Sequence, residues 1–189
     1  MENFKKTLEN YASLAIEIGV NLQKGQTLFI SAPISAVNFV RMLTKKAYER
    51  GAADVQYEWS DDVLTRTKFE MAPDETFNKF PLWKAKHREE LAENNAAFLF
   101  VISSNPDLLN GINAKRIQTS QKAAAMALEK FIKYEMSDKM SWSIVSVPNK
   151  IWANKVFPNL DEEKAVDALW EAIFNATRAN LPNPVQSWE

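Results

Sequence analysis

A chain with one histidine, His87, and no cysteine has few ways to do metal or nucleophilic chemistry. It cannot build a cysteine-rich zinc site or supply a histidine pair, and His-Glu-x-x-His is ruled out because there is no second histidine. His87 lies in Lys84-Ala85-Lys86-His87-Arg88-Glu89-Glu90. As a functional group it would be a general base or a lone metal ligand. A run of charges this dense reads instead as an exposed helix face. No serine sits in a Gly-x-Ser-x-Gly elbow, and a serine nucleophile would have to borrow His87 from a distant segment. The carboxylates Asp61 and Asp62 are adjacent, so they point different ways and do not form a ready dyad; Asp62 reads as a helix cap. Ser103-Ser104-Asn105-Pro106-Asp107 offers hydroxyls to a ligand, but its residues are also ordinary turn formers. Ser31-Ala32-Pro33-Ile34-Ser35 stands where a phosphate loop would stand but contains no glycine, and the chain has four glycines in all. Nucleotide binding through a glycine-rich backbone cradle is therefore not expected. The six tryptophans lack the interleaved basic residues of a single-strand binder and read as core or interface anchors.

The elements that would position these groups alternate along the chain. Phe4, Leu8, Tyr11, Ala15 and Ile18 recur at helical spacing, so the chain opens with an amphipathic helix. Strands are predicted near residues 26–31, 54–59, 96–102 and 142–147. Ala96 to Ile102 is a continuous apolar run, as in a strand buried on both faces. Helices are predicted between the strands: from a cap at Ser35 to about Arg50, from Pro73-Asp74-Glu75 to Asn95 with an interruption at Pro81, and from Ile112 to about Ser137 as one long element. Asp61-Asp62 can open a further short helix. A short helix over Asn149 to Phe157 and a last one from Asp161-Glu162-Glu163 follow the fourth strand. Gly51 stands where a left-handed helix stop belongs. Strands alternating with helices imply an α/β fold, a mainly parallel sheet of about four strands with helices on both faces. Asp61 and Ser103 then fall at strand carboxyl ends, where open sheets of this kind place ligands.

At 189 residues the chain is long enough for one domain, and such a chain buries roughly 70% of its unfolded surface. Residues 1–180 are expected to form a single α/β domain and 181–189, with Pro182 and Pro184, a linker or boundary. A formal net charge of −1 gives no electrostatic pull on phosphates, so no nucleic-acid partner is expected. No apolar run approaches the ~20 residues of a membrane helix, and the N-terminus has no apolar signal core. With no cysteine, this suits a cytoplasmic protein. The sequon Asn175-Ala176-Thr177 reads as chance on a helix.

Three segments carry a resemblance. Asn105-Pro106-Asp107-Leu108-Leu109-Asn110-Gly111-Ile112 resembles a (D/N)-P-x-L-L-x-G-(I/V) segment. Val147-Pro148-Asn149-Lys150-Ile151-Trp152-Ala153-Asn154-Lys155-Val156-Phe157-Pro158 resembles V-P-x-x-x-W-A-x-x-V-F-P, the most specific of the three. Val20-Asn21-Leu22-Gln23-Lys24-Gly25-Gln26 fits an N-terminal turn. In this order they resemble the N-terminal half of the thermophilic-type, aminopeptidase T-like metalloaminopeptidases, the M29 family. The resemblance implies a cytoplasmic, homodimeric exopeptidase that removes N-terminal amino acids from peptides with two divalent metal ions, zinc or cobalt. It also implies that the metal ligands lie in a C-terminal catalytic half, so that none falls on this chain, no catalytic, cofactor-binding or metal residue is assigned here, and the chain alone is inactive. Residues 181–189 would then mark the approach to that half. The alternative is a free-standing α/β domain that binds a small molecule near Asp61, Asp62 and Ser103 without peptidase activity.

Overall fold

Parallel strands and helices alternate through the chain, in a computed structural model that describes residues 2–103, 105–137 and 139–188. Strands β1 (Thr27–Pro33), β2 (Asp54–Ser60), β3 (Ala97–Ile102) and β4 (Trp142–Ser146) form one sheet in the order β2-β1-β3-β4. Every pairing is parallel, with Leu28 opposite Val55 and Ala97, and Phe98 opposite Trp142. All four strands fall where the apolar runs predict them.

Helix α1 (Glu2–Leu14) runs on as a π-helical turn, Ala15–Gly19, and buries Tyr11, Ala12, Leu14, Ala15 and Ile16. Gly19 lets that turn press onto β4, since a Cβ there would lie 3.0 Å from Ser143 Oγ. A 3₁₀ turn, Ile34–Ala36, leads into α2 (Val37–Arg50). Ser35 therefore lies inside that turn and caps nothing; the residue preceding α2 is Ala36, with no side-chain cap. Gly51, at φ 96°, closes α2 with its N–H on Ala47 and Tyr48 carbonyls, a conformation that costs a residue with a Cβ far more. Helices α1 and α2 cover one sheet face, where Leu28, Ile30, Val55, Leu99, Val101 and Val145 join their apolar sides in the main core.

The other face is closed by α4 (Leu82–Glu93) and α6 (Glu129–Met136), through Leu91, Ala92 and Phe131 packed on Phe29 and Phe98. The segment predicted as one helix from Ile112 is two: α5 (Ala114–Ala127) and α6, parted at Leu128. The break follows from packing. Phe131 is drawn into the sheet core, whereas α5 lies against the 3₁₀ turn Asp74–Asn78 and, among the described residues, buries none of its own. The helix start expected at Pro73-Asp74-Glu75 is this 3₁₀ turn, and α4 begins only after Pro81. Helix α3 (Asp62–Met71) follows β2, and α7 (Lys150–Val156) and α8 (Glu162–Thr177) follow β4 and pack on each other through Ala153, Ala165 and Leu169. No described helix is long and apolar enough to cross a membrane.

Candidate functional site

Because β1 lies between β2 and β3, the helix after β1 folds onto one face and the segment after β3 returns on the other. Their two loops part at the carboxyl ends of β1 and β3 and leave a crevice, the usual ligand position in open α/β sheets. A cleft of about 480 Å³ opens there. Ile34 and Ser35 after β1, Asp61 and Asp62 after β2, and Ser103 and Asn105 after β3 line it, joined by Asn149 and Lys150 after β4. The adjacent candidates Asp61 and Asp62 and the sequence-distant Ser103 thus share one cavity.

Each has a local task as well. Asp61 is the cap of α3: its Oδ1 accepts the Leu64 N–H at 2.9 Å, satisfying one of the helix's free amides. The cap expected at Asp62 is therefore one residue earlier. Asp62 sits in the first helical turn, and partial burial, followed by the neighbouring charge of Asp61, pushes its carboxyl above the usual range. Asp61 Oδ1 is engaged by its own helix, while its charge bears on Asp62. Ser103 is 9% exposed; its carbonyl accepts Asn149 Nδ2–H at 2.9 Å and its Oγ faces the same nitrogen at 3.3 Å. Asn149 Oδ1 in turn accepts the Trp152 N–H at 2.8 Å, which caps α7. This asparagine ties the end of β3 to the start of α7 and so shapes the cleft. It escapes notice as a site residue in the sequence, although Asn directly after Pro148 and before an apolar helix carries the signature of a cap. Of the turn Ser103–Asp107, Ser104 lies outside the described residues. Asp107 is held by its own N–H on Asn105 Oδ1 at 2.9 Å and by Lys155 Nζ at 2.6 Å, so it serves the loop rather than a ligand.

His87 stands elsewhere. It is half-buried, edge-on to Phe29 with ring centres 5.9 Å apart, not exposed as its charged neighbours suggest. Beside it Arg88 lies over Phe29 and Phe131 and donates to Glu58 Oε1 at 3.0 Å. Among the described residues no group of three His, Cys, Asp or Glu side chains is placed to hold a metal ion. The donor set does not fit a two-metal centre, where several carboxylates and imidazoles must converge on ions roughly 3.5–4 Å apart.

Comparison with known proteins covers the same span. Over all of this chain, aminopeptidase AmpS of Bacillus subtilis is 52% identical, and aminopeptidase T of Thermus thermophilus is 41% identical. The chain spans 46% of the length of each. The solved structure of wild-type AmpT from Thermus thermophilus superposes with a TM-score of 0.88 at 41% identity, covering 92% of this chain and 44% of that one. The profile of the thermophilic metalloprotease (M29) family matches residues 4–189. On that match the chain belongs to the thermophilic metalloprotease (M29) family, and it spans less than half the length of the relatives it matches.

Proposed function

We propose that this chain is the part of a cytoplasmic, homodimeric, metal-dependent aminopeptidase that walls the substrate cavity and supports assembly, while a C-terminal half holds two divalent ions, zinc or cobalt. The observation that carries the reading is the match to aminopeptidase AmpS at 52% identity along the whole of this chain. Since the residues here do not fit the metal centre, hydrolysis belongs to the other half. What this chain supplies is shape: a cleft at the strand ends, rimmed by Ile34, Val63 and Ile151 and floored by Ser103 and Asn149. The purified chain is expected to release no chromogenic amine from aminoacyl substrates, with or without added zinc or cobalt. Joined to the unmatched portion of AmpS it should become active, and a chelator should abolish that activity. Chelator-sensitive release by the chain alone would overturn the division of labour.

A second reading is a small-molecule-binding domain, favoured by the position of the cleft at the point where the strand order reverses. It requires a ligand that raises the melting temperature of the isolated chain and loses that effect in Ser103→Trp, which fills the cleft. Shifts that survive Ser103→Trp would place the ligand elsewhere.

A further inference from the structure

The two faces of the sheet are covered unequally. Helices α1 and α2 and the turn after α1 close one face across its width. On the other, α4 and α6 reach β2, β1 and the first half of β3: Arg88 pairs with Glu58, and Leu91 and Phe131 pack with Phe29 and Phe98. The register then carries this face onward, from Phe98 to Trp142 and from Phe100 to Ile144. No described helix closes it there. Trp142, Ile144 and Ile102 stay 40%, 51% and 37% exposed on strands of a parallel sheet, whose faces are ordinarily both covered. Among the described residues no strand pairs with the outer edge of β4, although at its far end the Ser146 N–H and carbonyl meet the Tyr11 hydroxyl. A bare strip of Trp and Ile on a sheet face, continuous with a free strand edge, marks a surface made to be covered.

Two observations say what covers it. The curated relatives carry more chain than is matched here, since this chain spans 46% of them. And the segment after α8 runs toward β4. Arg178 reverses the chain in a left-handed conformation, and Trp188 donates its indole N–H to Thr177 O at 2.9 Å. The Trp188 ring then lines, with Tyr11, Ile18, Ser143 and Val145, a cavity of about 200 Å³ at the β4 edge. Residues 178–188 thus pass beside β4, on the side of the sheet that α1 covers, and leave the Trp142 and Ile144 face open.

We propose that Phe100, Ile102, Trp142 and Ile144, with the strand-free edge of β4 beside Trp142 and Ile144, form the docking site for the portion of polypeptide that the M29 relatives carry beyond the part matched here. The proposal rests on the reading of this chain as one half of an aminopeptidase. The test joins this chain to the unmatched portion of Bacillus subtilis AmpS and compares it with the isolated chain by hydrogen exchange. Amides of residues 142–146 are expected to exchange about tenfold or more slowly in the joined protein. Ile144→Lys should remove that protection and open residues 181–188 to limited proteolysis. Met71→Lys, at an exposed site on α3, should do neither. In the isolated chain Ile144→Lys should move the melting temperature by less than about 2 °C, because the side chain is exposed there.

Equal exchange in the two proteins overturns the proposal. So does an isolated chain destabilised by Ile144→Lys as much as the joined one, which would make Ile144 internal packing. Protection that rises with concentration in the isolated chain, with a dimer mass in sedimentation, assigns the strip to a second copy and also overturns it. Should the joined chain precipitate, the same exchange comparison is made in AmpS itself, with lysine at the position aligned with Ile144. A joined protein that hydrolyses substrate while β4 stays unprotected defeats the docking site and leaves the aminopeptidase reading intact; a protected strip without hydrolysis does the reverse.

Discussion

Tyr11 shows how one side chain joins the first helix to the last strand. Its ring stacks on Phe39 at 5.3 Å inside the main core, and its hydroxyl donates to Ser146 O at 3.2 Å while accepting Ser146 N–H at 2.9 Å. Burial pushes the phenol up to about 12 from 10.0, against the smaller lowering effect of the Ser146 backbone contact. The folded state holds the proton longer than the unfolded one. The resulting stability is fully present below pH 10 and is lost as pH rises through about 12. Tyr11→Phe should cost about 1–2 kcal/mol at pH 7 through the lost hydrogen bonds. Its stability should then fall less steeply than the wild type's between pH 10 and 12, so that the two curves approach each other. Denaturant midpoints measured at pH 8 and pH 11 check this; parallel curves would show that the ionisation is not felt.

At the scale of elements, helices α3 and α5 stand apart from the core, with no buried residue of their own among those described. Arginines hold this lobe together. Arg66 Nη1 donates to Leu108 O at 2.8 Å, tying α3 to the loop after β3. Arg116 on α5 donates to Phe69 O at 2.6 Å and Glu70 O at 3.2 Å, the open carbonyls at the end of α3. Its Nε pairs with Asp74 at 2.7 Å, and its guanidinium covers the buried Phe77 ring at 5.5 Å. A fork with this many donors suits a helix terminus that a lysine could satisfy only in part. Arg116→Ala should cost about 2 kcal/mol, concentrated in the lobe. Limited proteolysis within residues 62–78 should quicken while amides of β1 and β3 stay protected. Uniform loss of protection would mean that the lobe and the sheet unfold as one unit. Helical pattern runs through Leu128 without a Pro or Gly to mark a stop, and residues 74–78 offer no long apolar stripe, so the break and the 3₁₀ turn are not legible in the sequence.

At the scale of the whole molecule the last helix and the tail close over the first helix. Phe174 is buried among Phe4, Tyr11 and Trp170. Trp188 docks on its own domain through Thr177 O and under the Arg178 guanidinium at 5.3 Å, yet remains half-exposed. Residues 182–188 thus lie along the body, with Pro184 buried and Val185 against the main core. Trp188→Ser should lower stability by about 1 kcal/mol and speed cleavage after Asn180. A loss above about 3 kcal/mol would make the tail part of the core, and no change at all would show that its docking contributes nothing.

What the sequence determined by itself is whatever local pattern encodes. Strand positions follow from apolar runs, and the parallel α/β class follows from their alternation with helices. The left-handed stop at Gly51 follows from glycine's missing Cβ. The family resemblance likewise rests on short contiguous segments, above all Val147 to Pro158. What only the tertiary structure decided is everything that depends on which elements become neighbours. The strand order sets the crevice at the ends of β1 and β3, and so brings Asp61, Ser103 and Asn149 to one cleft from three loops. The same order makes β4 an edge and leaves Trp142 and Ile144 uncovered beside buried Phe98. Periodicity states that a residue belongs to a face; only the placement of the helices states whether that face is covered.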